Sequence, residues 1–183
     1  RVLFRSIGSA GSSFVGILAL SNNGSSTTLN SYGGTNNGGN MVFSNSGSVS
    51  SILTFTNASN SITTSAGTAG SKTLTVCSNL EVVFNGRVDI GSSGVSTNVV
   101  FNGDGNFRFK DALFNTGTAT RGLEKDGKGT LYLYTNNTYN GETRVKDGTL
   151  AVYHRNGIPS SGALTVEHGS KLRAYTNLAV GSM

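Results

Sequence analysis

The sequence predicts an all-β fold wound as stacked coils, a β-solenoid, and three observations carry that expectation. They centre on Gly122 to Val152, the stretch around which the chain is organised. First, apolar residues alternate: Leu131 and Leu133 within Thr130 to Tyr134, Val145 between Arg144 and Lys146, and Leu150 and Val152 within Thr149 to Val152. A period of two marks a half-buried strand, because successive side chains point to opposite faces. Second, Asp126-Gly127, Asn140-Gly141 and Asp147-Gly148 punctuate these strands. Asn and Asp tolerate left-handed dihedrals and Gly adopts them freely, so each pair reads as a tight bend. Third, the pattern recurs: Leu150 follows Leu131, Leu164 follows Val145 and Leu172 follows Val152, each at about twenty residues, the length of one coil. Taken alone, Asp147-Gly148 signals an antiparallel hairpin, so the alternative is an antiparallel β-sandwich. The recurrence decides for the solenoid, in which each bend turns the chain from one sheet into the next.

Along the chain, Phe14 to Leu20 reads as an early strand. Arg1 and Arg5 precede it as in a signal peptide, but Gly8 to Ser13 is too polar for a continuous apolar core. Residues 1–50 form an irregular Ser/Asn/Gly-rich segment with early coils, anchored at Leu29, Met41, Val42 and Phe43, with a loop at Asn36 to Asn40. Solenoid coils occupy 51–183. Leu53 and Phe55 open the regular spacing, and Leu74 and Val76 follow one period on. Leu80, Val82 and Phe84 come next, then Val88 and Ile90, then Val99 and Phe101, with Phe101 one period after Val82. Phe107 and Phe109 continue the series, and Leu123 leads into the repeat block at 122–152. Each such inward residue contributes roughly 1.5–3 kcal/mol when fully buried. No apolar run approaches the roughly 18 residues of a spanning helix. The start at Arg1 suggests an internal piece of a longer polypeptide.

The block from Gly127 to Val152 also resembles a known family. Gly127-Lys128-Gly129-Thr130-Leu131-Tyr132-Leu133 opens it, and Asn137-Thr138-Tyr139-Asn140-Gly141 forms its middle. Thr143, Val145, Gly148-Thr149-Leu150 and Val152 close it. This is similar to the autotransporter-associated β-strand repeat, approximately G-x-G-T-L-x-L-x-x-x-N-T-Y-x-G-x-T-x-V-x-x-G-T-L-x-V. Glu142 departs from the usual small residue, and Gly162-Ala163-Leu164-Thr165-Val166 resembles the segment that commonly follows. The resemblance covers residues 122–172. It implies a right-handed, single-stranded parallel β-helix of pectin-lyase-like form, in the passenger of a bacterial surface or secreted protein.

Composition is compatible with this. Of 183 residues, 13% are charged, 26 are Gly and one is Pro. Such a composition alone would suit disorder, but the short alternating apolar runs argue for an ordered stack. The net charge is +5. The cations Arg108, Lys110, Arg144, Lys146 and Arg173 alternate with inward residues, as on a solvated strand face. Aromatic and basic residues interleave at Phe107 to Lys110, yet no nucleic-acid module accompanies them. Cys77 is the sole cysteine, so an internal disulfide is excluded; it reads as a strand-end residue with no base placed to activate it.

Catalytic chemistry on such a fold would need carboxylates and cations converging on one groove. Asp89, Asp104, Asp111, Glu124, Asp126 and Lys125 are the residue types required. Asp104 and Asp126 adjoin Gly in bends, and Asp89, between Val88 and Ile90, reads as an outward strand residue. His154 and His168 are the two histidines, both read as solvent-facing, and no nucleophile-elbow motif accompanies them. Asn102, Asp104 and Asn106 place oxygens at alternate positions, a candidate calcium loop. Leu113 stands where a closing Glu is required, so a turn is the better reading. Gly67 to Thr73 is not a phosphate loop, because Ser71 interrupts the Gly-Lys pair. Asn23, Asn57 and Asn136 head glycosylation-type triplets.

The sequence therefore reads as a non-enzymatic stalk or adhesin shaft, with no cofactor and no metal. Its expected place is the bacterial cell surface, anchored at the outer membrane, or the secreted fraction. The alternatives are a polysaccharide lyase or hydrolase on the same fold, and an inert spacer. Tyr132, Tyr134, Arg144, Lys146, Tyr153 and Arg173 are the candidate surface-binding residues. Expected partners are glycans or proteins of host or neighbouring cells, together with further coils and a membrane barrel of the same polypeptide. Nucleic acid binding and direct membrane insertion are not expected.

Overall fold

The computed structural model describes residues 17–20, 27–29, 35–36, 41–45, 48–56, 58–61, 63–64, 71–91 and 96–179. Phe14 to Gly16 of the expected first strand, Asn23, Asn57, most of the Gly67 to Thr73 segment and Asn37 to Asn40 of the expected loop lie outside them. The chain runs as successive coils. The first holds β1 (Ile17–Leu20), β2 (Thr27–Leu29) and β3 (Thr35–Asn36). The next holds β4 (Met41–Asn45), β5 (Ser51–Phe55), β6 (Ser59–Ser61) and β7 (Thr63–Thr64). Then come β8 (Lys72–Val76), β9 (Leu80–Phe84) and β10 (Arg87–Asp89), and β11 (Thr97–Gly103), β12 (Asn106–Phe109) and β13 (Leu113–Phe114). The remaining coils couple β14 (Arg121–Lys125) with β15 (Thr130–Leu133), β16 (Thr143–Val145) with β17 (Thr149–Val152), and β18 (Leu164–Val166) with β19 (Lys171–Ala174).

Corresponding strands stack into walls. The first sheet has seven strands in the order β1-β4-β8-β11-β14-β16-β18, and the second has seven in the order β2-β5-β9-β12-β15-β17-β19. A third wall carries β6-β10-β13, with β3 pairing β7. Every strand pair among the described residues is parallel, and none of those residues is helical. This is a parallel β-solenoid. The hairpin alternative fails because Asp147-Gly148 carries the chain from the first sheet to the second.

The register corrects the expected spacing. Leu131 pairs with Leu150, as the period predicts. Val145, however, pairs with Val166 and not Leu164, and Val152 pairs with Ala174 and not Leu172. Upstream coils are longer still: Leu53 pairs with Val82, and Val82 with Phe107 and not Phe101. Leu74 and Val76 belong to the other sheet, where Leu74 lies between Met41 and Phe101. The same alternation occurs on both sheets, so spacing alone does not say which wall a strand joins. Of the early anchors, Leu29 lies in β2, and β4 buries Met41 and Phe43 while Val42 faces outward.

Inward residues of both sheets form one continuous core. Phe55, Phe84 and Phe109, in register on the second sheet, stack at 4.8 and 5.0 Å between ring centroids. Phe101 packs edge-on against Phe107 and Phe109 from the first sheet. Glycines line the corner between the sheets. Gly103, Gly127, Gly148 and Gly169 all have positive φ, and no other residue type does among the described residues. A Cβ on Gly148 would overlap the Gly127 carbonyl oxygen of the coil beneath. Gly141 serves differently from the expected left-handed bend: its φ is ordinary, but a Cβ there would sit 2.5 Å from Arg121 and Gly122 backbone atoms.

The interior also holds charge that the alternation did not reveal. Lys72, Arg121 and Lys125 are all buried. Arg121, Leu123 and Lys125 share the inward face of β14. The Lys125 ammonium donates to the carbonyls of Asp126 and Gly127, both at 2.5 Å. Asp89 is buried, which corrects its expected outward placement. Its carboxylate accepts from the Gly91 N–H at 3.0 Å and the Thr116 hydroxyl at 2.6 Å, and it interacts electrostatically with Arg121.

Candidate binding surface on the second sheet

The outward face of the second sheet is built by the same alternation that fills the core. Phe107 and Phe109 point in, so Arg108 points out; Leu131 and Leu133 point in, so Tyr132 points out; Leu150 and Val152 point in, and Ala151, on the outer side between them, is covered by its neighbours. In register, Val83, Arg108, Tyr132, Ala151 and Arg173 form one row across the coils. A second row lies one step past each strand: Lys110, Tyr134, Tyr153 and Tyr175. Each donates its backbone N–H to the last strand residue of the coil beneath, Phe84, Phe109, Leu133 and Val152 respectively. Equal turn geometry in successive coils therefore turns residues far apart in sequence into neighbours.

The tyrosines of the second row stack on one another. Tyr134 and Tyr153 are 4.5 Å apart at an interplanar angle of 9°, and Tyr153 and Tyr175 are 4.4 Å apart at 5°. Offset packing of this kind contributes roughly 0.5–1.5 kcal/mol per pair. Tyr132 adjoins Tyr134 at 6.5 Å. Arg108 lies 4.5 Å over the Tyr132 ring, ion-pairs with Glu81 at 2.7 Å and donates to the Tyr134 hydroxyl. Burial lowers the Arg108 pKa, but Glu81 and the two phenols outweigh it and hold the guanidinium above its ordinary value. Tyr153 is raised by desolvation and by its hydrogen bond with Tyr175. Both faces of Tyr153 are occupied by neighbours, so its edge faces solvent, while Tyr175 ends the stack and is 57% exposed.

The six sequence-chosen residues divide between two walls. Tyr132, Tyr134, Tyr153 and Arg173 come together on the second sheet. Arg144 and Lys146 lie on the first sheet, where Arg144 pairs with Glu167 at 2.6 Å and Lys146 with Glu124 at 3.3 Å. Sequence reading left Tyr175 and Lys171 out of the set and did not group Arg108 with the tyrosines. The signal available was the one-step-past-the-strand position shared by Tyr134 and Tyr153; the longer final coil, which sets Ala174 and not Leu172 against Val152, hid the same position at Tyr175.

The candidate calcium oxygens are engaged with backbone. Asn102 accepts from the Gly103 N–H at 2.7 Å, Asp104 from Lys128 at 3.4 Å, and Asn106 from Thr130 at 2.9 Å. Among the described residues no cluster of three His, Cys, Asp or Glu side chains is arranged to hold a metal. His168 is exposed, whereas His154 is half-buried, a correction, and accepts from the Asn156 N–H. Glu124 faces outward beside Lys146, and Asp111 caps its own turn by accepting from the Ala112 N–H. Cys77 follows β8 as expected; its sulfur accepts from the Asn45 N–H and donates to Asn79.

The repeat-motif residues are structural. Leu131, Leu133, Val145, Leu150 and Val152 fill the core, and Thr130 and Thr149 pair with each other. Asn137 is buried and bridges coils, accepting from the Leu113 N–H at 2.8 Å and donating to the Gly157 carbonyl at 2.6 Å. Thr138 donates its backbone N–H to Leu113. Tyr139 is fully buried, and its hydroxyl meets Thr143 at 2.6 Å. A Cβ at Gly129 would collide with the Gly105 carbonyl oxygen.

Fold and surface together define a parallel β-solenoid with tyrosine and cation rows on one outer wall. Residues 123–152, which run from within β14 to the end of β17, match the passenger-associated-transport-repeat family. No curated protein and no solved structure matches the chain.

Proposed function

We propose that this chain is a non-enzymatic stalk or adhesin-shaft segment of an exported, autotransporter-like bacterial protein, displayed at the cell surface or released. The observation that carries the reading is the transport-repeat match at 123–152, because it falls on coils that stack in parallel register. The mechanism is geometric. Each coil lengthens the shaft by one strand spacing, about 4.8 Å, and repeats its outward residues at that interval. Weak contacts repeated along one polymer then add by avidity.

The outer rows of the second sheet favour adhesion over an inert spacer. A spacer needs only a solvated Ser/Thr/Asn exterior, whereas Arg108, Tyr132, Tyr134, Tyr153 and Tyr175 are gathered across coils. The enzyme alternative lacks comparable support. Its candidate groups are dispersed: Lys125 and Asp89 are buried in the interior, and Glu124 is paired on the outside of the first sheet.

The test is display of the chain on an outer-membrane barrel in a non-adherent bacterium. Protease-accessible chain and increased attachment to epithelial or bacterial cells are the expected outcomes. Surface display with no gain in attachment would leave the spacer, and turnover of a polysaccharide would establish the enzyme.

A further inference from the structure

We propose that the outer face of the second sheet binds an acidic polysaccharide, one bearing uronate carboxylates or sulfate esters. The inference rests on the adhesive reading above and names its ligand.

Charge is distributed unequally between the two main walls. On the first sheet the outward cations are neutralised locally: Arg144 by Glu167, and Lys146 by Glu124 with Asp126 at 4.0 Å. On the second sheet Arg108 is matched by Glu81. Past that pair the balance ends. Lys110, Lys171 and Arg173 are exposed, and none has a carboxylate within ion-pair distance among the described residues. These three cations frame the tyrosine stack. Lys110 stands at the head of the row that continues through Tyr134, Tyr153 and Tyr175, and Arg173 and Lys171 precede Tyr175 on the outermost strand.

A linear polymer lying across the strands would therefore meet a phenol edge on successive coils and unmatched positive charge at both ends of the run. The ring geometry selects the polymer. Single-stranded nucleic acid relies on free aromatic faces for its bases. Here the faces of Tyr153 are covered on both sides, at 4.5 and 4.4 Å. Within the stack only hydroxyls and ring edges are offered, and Tyr175 alone, at its end, is stacked on one side and 57% exposed; a row of edges and hydroxyls suits a hydroxyl-rich chain held by hydrogen bonds. The unmatched Lys and Arg side chains suit carboxylate or sulfate oxygens, to which charge-assisted hydrogen bonds are about twice as strong as neutral ones. A neutral glycan would leave these cations unused.

The experiment measures binding of the 183-residue chain to heparin, polygalacturonate, neutral dextran and a single-stranded oligonucleotide, at low and high salt. Heparin and polygalacturonate should bind, dextran should not, and salt should weaken binding. Lys171→Gln with Arg173→Gln should lower affinity about tenfold or more, as expected for two lost charge-assisted contacts. Arg144→Gln with Lys146→Gln should change it less than about twofold, because those charges are already matched. Tyr153→Phe keeps the ring and removes the hydroxyl, and should cost a few-fold, about one hydrogen bond. All five positions are on outer faces, and circular dichroism confirms that the variants fold. Equal dextran binding, tighter oligonucleotide binding, or equal losses in the two double variants would overturn the proposal. Attachment to cells through neutral glycans alone refutes the acidic ligand and leaves the adhesive reading standing; a chain that binds neither glycan nor cell refutes both.

Discussion

Asn137 shows what a single polar side chain does in a stack of coils. Its amide closes a gap on the third wall, satisfying a donor from the coil below and an acceptor within the next. Asn137→Ala leaves the Leu113 N–H and the Gly157 carbonyl buried and unpaired, and should cost about 2–4 kcal/mol in chemical denaturation. Tyr139→Phe removes only the hydroxyl facing Thr143 and should cost about 1 kcal/mol. The buried lysines make stability depend on pH. Desolvation lowers Lys72 and Lys125 from the usual 10.5 to about 8, with Asp147, Asp126 and Asp104 opposing the shift at Lys125. Between about 8 and 10.5 the unfolded chain binds more protons than the native one, so stability rises with pH in that window. Tyr139 acts oppositely. Burial raises its pKa above 10, so the unfolded chain ionises first and stability falls again above about pH 10. Thermal midpoints should therefore climb from pH 8 to 10, and Lys125→Met should flatten the climb; a slope unchanged in that variant would remove Lys125 as a cause.

At the scale of an element, the bends and ladders separate effects that sequence conflates. Gly148 and Gly169 occupy the same corner, with φ of 66° and 89°. A Cβ at Gly148 also strikes the coil beneath, whereas one at Gly169 meets nothing within 4 Å. Gly169→Ala should thus lose only the conformational term, about 1–2 kcal/mol. Gly148→Ala should lose more, because the coils must also part; equal losses measured by urea denaturation would show that close approach adds nothing. Phe84 sits mid-ladder between Phe55 and Phe109 and is fully buried. Phe84→Ala should cost about 3–5 kcal/mol, at the upper end if the stacked neighbours cannot close the cavity.

Across the whole molecule, stability is expected to be graded along the stack. In the β18–β19 coil the inward face is only partly covered: Leu164 is buried, but Val166 is 42% exposed, whereas Val145, its partner one coil down, is fully buried. Among the described residues β18 and β19 are edge strands, each paired on one side, which gives this coil about half the interface of an interior one. Amide exchange should be faster in β18 and β19 than in β14 to β17 by at least about tenfold, reflecting local opening. Uniform protection along the chain would instead indicate one cooperative unit. The two outer walls also differ in the salt response they should show. The first sheet's matched surface pairs contribute little, while the second sheet's unmatched cations repel one another, so moderate salt should stabilise the chain slightly and weaken anion binding at the same time.

The sequence by itself determined the β character, the apolar inward residues of β5, β8 to β12 and β14 to β17, and the family resemblance of 122–172. Those follow from period-two alternation and from Gly-containing bends, which are local properties. It also determined one true coil spacing, Leu131 to Leu150, where the loops are short. Only the tertiary structure decided which sheet each upstream strand joins, since the coils there are long and unequal: Thr97 pairs with Arg121, and Met41 with Leu74. It alone placed Asp89 and Arg121 together in the interior and buried Lys72 and Lys125. A charge can be turned inward when carbonyls of a bend or an opposite charge meet it there, and those partners are supplied by folding, not by sequence neighbours. The tyrosine rows follow the same logic. Alternation says that Tyr132 points outward; only stacking says that Tyr134, Tyr153 and Tyr175 share one line.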